Sequence, residues 1–251
     1  FSIRGDENAA WEMCGSALRA ATALRLNTEQ GCAPSKGHTG HAFEYGLSRE
    51  QIEECRRRTF WICLLVDRHI AIPGTTSVSV ESADVDLRLP CPKGSLSSEA
   101  PSHGSALADR GSTIAITPMA WLLLVSGVWK QVATFTRRAM FYNGDIYPDA
   151  YTRMRRNVVS TLQTWTSRLP NHMQYNDTNL ARSIQQGYAS TFLAMHVLHH
   201  SALAALNRCM RHGIIPSAVH QNIRAANSNA HDLLKIVRAP LLVMRYNEAS
   251  A

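Results

Sequence analysis

Apolar positions recur along this chain at helical intervals. No convincing alternation of apolar and polar residues runs beyond about five positions, so the pattern predicts helices. A first helix over residues 7 to about 26 places Trp11, Cys14, Leu18, Ala21 and Leu24 or Arg25 on one face. A polar, glycine-containing loop follows through Gly46. The densest apolar run is Phe60-Trp61-Ile62-Cys63-Leu64-Leu65-Val66, preceded by Arg56-Arg57-Arg58 and closed by Asp67. At 100° per residue this run covers every side of a helix and belongs in an interior, because it falls far short of the ~20 residues a membrane span needs. Ser48 with Gln51 forms a capping box, and Glu53 and Glu54 stand four residues before Arg57 and Arg58, the order that favours helical ion pairs. These signals set a central buried helix at about 49 to 72.

Beyond it, Val78, Val80, Val85, Leu87 and Leu89 alternate with polar residues between Pro73 and Pro90, as in a short strand or a draped coil. Residues 93 to 112 are rich in Ser, Gly, Ala and Pro and read as a surface linker. Thr117-Pro118 opens a long helix to about Asn143, and Asp149 opens another to Leu169 ahead of Pro170. A further long helix runs from Asp177 or Thr178 to Arg211, stopped by Gly213; Ser217 caps the next, which reaches about Val237 before Pro240. The expectation is an all-α fold: one irregular multi-helix domain over 1–251 with long loops around the buried central helix. A chain of 251 residues can bury roughly 75% of its unfolded surface, enough for one large core.

Composition changes this picture little. Apolar content of 45% and charged content of 18% are ordinary, and no apolar run is long enough to span a bilayer. The six cysteines, at 14, 32, 55, 63, 91 and 209, show no Cys-x-x-Cys spacing, which points to reduced thiols. Cys63 reads as packing, whereas Cys32 and Cys91 in loops are the candidates for reactivity. The net charge of +7 is dispersed, and aromatic residues are not interleaved with the basic clusters as a single-strand binding surface requires. Arg57 and Arg58 adjoin the buried run and need carboxylate partners; Asp84 and Asp86 are the candidates. The opening Phe-Ser-Ile-Arg-Gly-Asp-Glu has no signal layout, and the chain reads as a piece of something longer.

Three groups of residues now line up. Gly15, Ala17, Arg19, Ala21, Leu24 and Leu26 form the first; Glu53 or Glu54, Arg56, Arg57, Arg58, Phe60, Trp61, Asp67 and Arg68 the second; Gly74, Asp84, Asp86 and Pro90 the third. In order and spacing over about residues 9 to 90 they resemble the fungal-specific transcription factor domain, the middle homology region that accompanies six-cysteine, two-zinc DNA-binding clusters. The chain departs from that pattern at Arg25 and Asn27, where Gly and His are usual, and at Thr75-Thr76, which replaces Arg-Pro after Gly74. Residues 113 to 251 match only in being helical. The resemblance implies a regulatory domain of a nuclear zinc-cluster transcription factor that modulates RNA polymerase II transcription. It implies that DNA is bound by an N-terminal zinc cluster outside this chain, that zinc belongs to that cluster and no cofactor to this chain, and that co-regulators are partners, with homodimerisation left open. It makes Arg57, Arg58, Phe60, Trp61, Asp67, Arg68, Gly74, Asp84, Asp86 and Pro90 a structural signature with no catalytic role.

Chemical alternatives are thin. His196-x-x-His199-His200 has a spacing able to ligate a metal, yet Val197 stands where a zinc protease needs its glutamate, and no third ligand is indicated. His38-x-x-His41 offers no more. There is no nucleophile elbow, phosphate loop or dinucleotide fingerprint, so a non-enzyme is expected. The rival expectation is a small-molecule effector module with an apolar pocket among the C-terminal helices near Phe192, Met195 and Met210.

Overall fold

The computed structural model of the chain describes residues 7–33, 46–70, 85–90, 116–141, 148–209 and 216–249. Among them stand eight α-helices and one 3-10 turn: α1 (Glu7–Ala23), α2 (Glu29–Cys32), α3 (Arg49–Ile70), α4 (Pro118–Phe141), α5 (Pro148–Arg168), the turn Asn171–Met173, α6 (Asp177–Gln185), α7 (Ala189–Arg208) and α8 (Pro216–Ala249). No strand occurs among the described residues, and the fold is all-α as expected. An isolated bridge joins Thr28 and Asp86 in parallel. The chain divides into two compact units, Phe1–Ala71 with Thr76–Leu124 and Ile72–Thr75 with Val125–Ala251, the boundary falling inside α4.

In the first unit α1 and α2 pack on α3. The expected capping box forms: Ser48 Oγ accepts the Gln51 N–H at 3.3 Å and Gln51 Oε1 accepts the Ser48 N–H at 2.7 Å. Phe60, Trp61 and Leu64 are fully buried. The apolar run is not enclosed on every side, however, because Ile62 and Val66 are 52% and 41% exposed. They lie one turn apart, so α3 keeps a solvent edge opposite the side that its neighbours cover.

α1 ends earlier than its periodicity suggests. Arg25 takes a left-handed φ of 58°, its N–H bonds to the Thr22 carbonyl and the Leu26 N–H to that of Ala21, a Schellman ending. The buried face is therefore Cys14, Leu18 and Ala21, continued by Leu26 after the turn, while Trp11 and Leu24 are exposed. The left-handed position is the one where the resemblance puts glycine, and here an arginine occupies it. The loop expected after α1 contains α2, a single turn capped by Thr28.

In the second unit the helix expected from 177 to 211 is two helices. Gly187, at φ 75°, turns the chain: its N–H bonds to the Ile184 carbonyl and the Tyr188 N–H to that of Ser183, closing α6 before α7 begins. α8, in turn, does not stop before Pro240 but runs to Ala249. A proline removes one backbone donor and strains the preceding turn, which makes it a boundary tendency and no absolute stop.

Candidate functional site

The polar centre of the first unit is Glu29, held at the start of α2 by the Thr28 cap, whose side chain accepts the Gly31 N–H. One carboxylate oxygen accepts from Arg57 Nε at 3.2 Å and from the Arg88 backbone N–H at 2.7 Å; the other accepts from Arg57 Nη2 and Arg88 Nη2, both at 2.8 Å. Arg57, almost wholly buried, also donates to Glu54, which accepts from Arg58 as well. Burial alone would raise the Glu29 pKa, but the hydrogen bonds from Arg57 and Arg88 overcome it and hold the carboxyl down at about 2. The same carboxylates raise the Arg57 pKa against its own desolvation. Bidentate, charge-assisted bonds of this kind fix geometry as well as charge.

Around this clamp the segment 85–90 is pinned. Asp86 exchanges backbone bonds with Asn27 and Glu29, and Trp61 Nε1 donates to the Arg88 carbonyl at 2.7 Å. Leu87, Leu89 and Pro90 are buried, and the Pro90 carbonyl accepts from Thr117 Oγ1, which also caps α4 through the Ala120 N–H. Arg56 donates to the Cys32 and Ala33 carbonyls. Asp67 and Arg68 lie in the interior, 3% and 1% exposed, with Arg68 donating to the Leu123 carbonyl. Desolvation lowers the Arg68 pKa to about 10, partly opposed by Asp67.

Arg57, Phe60, Trp61, Asp67, Arg68 and Pro90 are thus buried together in the first unit, with Arg58 half-buried at its edge. Gly74 and Asp84 lie outside the described residues. The expected helical pair of Glu54 with Arg58 forms, but Arg57 meets Glu29 and Glu54, while the exposed Asp86 contributes its backbone. A parallel bridge turns the Asp86 side chain outward and leaves Arg57 to a carboxylate from α2. Glu29 and Arg88 escaped sequence reasoning; the signal available was the Thr28-Glu29 pair, a cap followed by a first-turn acid. Cys32 is also corrected. It is 1% exposed, and burial pushes its thiol up to about 11, so it packs as an unreactive side chain. Cys63 is half-buried with a raised pKa, and Cys91 lies outside the described residues.

In the second unit the three histidines are absorbed into an aromatic cluster. His196 Nε2 meets the Met173 carbonyl at 3.0 Å, and its ring packs edge-on against Phe192, Trp165 and Tyr175. His199 stacks on Trp165. Burial lowers both pKa values to about 4, with His200 adding repulsion. Among the described residues no three His, Cys, Asp or Glu side chains are grouped to hold a metal, and no helix is long and apolar enough to cross a membrane. Phe192 and Met195, expected to line a pocket, are fully buried, with Phe192 against Tyr175, Tyr188 and His196. Met210 lies outside the described residues. A cleft of about 660 Å³ opens elsewhere, between α7 and α8 with Trp129 of α4 on its wall.

The family described as fungal specific transcription factor domain matches residues 1–117, the segment holding the clamp. The chain is 28% identical to an uncharacterized transcriptional regulatory protein of Schizosaccharomyces pombe, over 79% of this chain and 21% of that protein. It is 24% identical to a second such protein of the same yeast, over 82% of this chain and 32% of the relative. It is also 24% identical to a Zn(2)-C6 fungal-type transcription factor of Fusarium oxysporum f. sp. lycopersici, over 82% of this chain and 24% of the relative. The chain therefore spans between about a fifth and a third of the length of these relatives. No solved structure matches it significantly.

Proposed function

We propose, from the match of residues 1–117 to the fungal specific transcription factor domain family, that the chain is the regulatory part of a nuclear, zinc-cluster transcription factor. It modulates RNA polymerase II transcription, while DNA is bound through a zinc cluster elsewhere in the parent protein. The supporting observation is the fate of the arginines next to the buried run: Arg57 is paired with Glu29 and Glu54, and Arg58 is tied to Glu54. Cations so engaged are poor phosphate ligands, since DNA affinity rests on lysines and arginines free to replace counterions. The first unit then acts as a rigid scaffold that presents surfaces to co-regulators. The chain carries no catalytic assignment in this reading.

Fusing the chain to a heterologous DNA-binding domain tests it. Reporter transcription should rise or fall relative to the DNA-binding domain alone, and a destabilised Trp61→Ala version should lose the effect. An unchanged reporter from a folded, nuclear, DNA-bound fusion would refute the regulatory role.

A further inference from the structure

The arginines of α5 are placed unlike those of the first unit. The helix carries four arginines and a single acid, Asp149 in its first turn. Tyr151, Val158, Leu162 and Trp165 form its buried stripe. On another side Thr152, Arg155, Arg156, Val159, Ser160 and Gln163 recur at intervals of three and one, which is one helical face. That face is one wall of a groove of about 450 Å³, and Gln221 and Asn222 of α8 form the other. From Thr152 to Gln163 the wall runs about 16 Å at the helical rise, the length of about five residues of extended peptide. Its base is fixed: the buried Tyr151 hydroxyl donates to the Leu206 carbonyl and accepts from Asn222, tying α5, α7 and α8 together.

No acidic side chain lines this groove. Arg155 and Arg156 are exposed and form no ion pair and no hydrogen bond with the described residues. By contrast Arg57, Arg58 and Arg88 each meet a carboxylate. Charge of one sign between low-dielectric walls focuses the field outward, so the groove attracts anions. Gln163 and Gln221, on opposite walls, are exposed and likewise without hydrogen bonds to the described residues. A side-chain amide donates to a carbonyl and accepts from an N–H, the two groups a peptide backbone offers. Nucleic-acid phosphates only accept and would leave both amide oxygens idle. A second copy of the chain is a poor occupant, because a net charge of +7 repels itself.

We propose that the α5–α8 groove is a docking surface for an extended acidic segment of a partner protein, its carboxylates on Arg155 and Arg156 and its backbone on Gln163 and Gln221. The consequence, recruitment of that partner to a promoter, rests on the regulatory reading above; the docking itself does not. Guanidinium–carboxylate pairs supply charge-assisted bonds with a fixed geometry, and the amides set the register of the segment.

Fluorescence anisotropy on the 251-residue chain at about 0.15 M salt tests this. The probes are a labelled peptide of Glu-Ser repeated three times, its Gln-Ser counterpart and a labelled DNA duplex of arbitrary sequence. The acidic peptide should bind roughly tenfold more tightly than the neutral one, the ratio for one net charge-assisted hydrogen bond. Arg155→Gln with Arg156→Gln, both at exposed positions, should bring the two peptides to the same affinity with the thermal midpoint unchanged. Ser160→Glu, which sets a carboxylate one turn from Arg156, should do the same by a different route. Arg19→Gln with Arg238→Gln removes equal charge elsewhere and should leave binding as it was. Equal affinity of the unaltered chain for the two peptides overturns the proposal. So does acidic-peptide binding that survives the groove substitutions or falls as far in the Arg19 and Arg238 control. Duplex binding tighter than peptide binding and lost with Arg155 and Arg156 would make the groove a nucleic-acid surface and overturn it too. A silent reporter with intact peptide binding would refute the regulatory reading alone, and an active reporter without peptide binding would refute this one alone.

Discussion

Replacing Gly31 with alanine would place a methyl carbon 1.9 Å from the Arg25 carbonyl oxygen and 2.5 Å from its carbon. Both atoms are backbone, so no side-chain rotation relieves the overlap, and α2 would have to move by about 1.5 Å to restore ordinary contact. The oxygen cannot retreat easily, because it accepts from the Thr28 N–H at 3.1 Å and from Thr28 Oγ1 at 3.0 Å. Overpacking of this kind costs roughly 1–3 kcal/mol, and loss of the Thr28 cap adds about 1. Displacing α2 also spoils the aim of Glu29 at Arg57 and Arg88, which puts the total at about 3–4 kcal/mol, a large share of the stability of an ordinary domain. Gly15→Ala is the control. There the added carbon meets only the Arg19 guanidinium at 3.1 Å, the far end of a flexible side chain, and the helix gains about 0.5–1 kcal/mol from alanine. Urea unfolding followed by far-ultraviolet circular dichroism separates the two. A Gly31→Ala loss below 1 kcal/mol, or one no larger than that of Gly15→Ala, would refute the claim that the α2 turn is built on close backbone approach.

Arg25→Gly should stabilise by about 0.5–1 kcal/mol, since glycine occupies the left-handed region without the Cβ penalty; a loss in the same urea assay would count against the Schellman ending. Trp61→Ala should cost about 3–5 kcal/mol through the cavity and the lost bond to the Arg88 carbonyl, and a loss under 1 kcal/mol would contradict its full burial. Stability should fall in two acid steps. Neutral His196 and His199, with pKa values lowered from 6.5 to about 4, contribute fully above pH 6.5 and lose that contribution as pH falls toward 4. Ionised Glu29, lowered from 4.5 to about 2, contributes above pH 4.5 and loses its share as pH falls toward 2. Thermal midpoints measured across pH 7 to 2 should show His199→Gln shrinking the first step and Glu29→Gln the second.

The features legible in the sequence are those written into neighbouring residues. Ser48 with Gln51, Thr117 before Pro118 and the buried trio Phe60, Trp61 and Leu64 rest on contacts within one or two turns, which local pattern encodes. The resemblance carried by residues 9 to 90 was also readable, and the matching family model covers residues 1–117. Glu29 was not, since its partners Arg57 and Arg88 lie 28 and 59 residues away and nothing nearby in the chain announces them. Asp86 looked like the partner because its charge is right, but the bridge to Thr28 turns it outward. Gly187 lay inside an apparently continuous periodic stretch, where a glycine is compatible with either a helix or a stop. The cleft escaped because it depends on how α7 and α8 pack, while Phe192 and Met195, large and apolar, are taken up by the core.

The claim that Arg57 serves as a structural tie is tested most directly by a double-mutant cycle on Glu29→Gln and Arg57→Met, read by urea unfolding at pH 7 and again near pH 2. Glu29 keeps 30% of its side chain in solvent, so the coupling should be about 1.5–3 kcal/mol at pH 7, below that of a fully buried pair. It should fall toward zero near pH 2 as the carboxylate protonates. Additive losses at pH 7, with coupling under about 0.5 kcal/mol, would contradict the clamp and return Arg57 to the pool of cations available for phosphate.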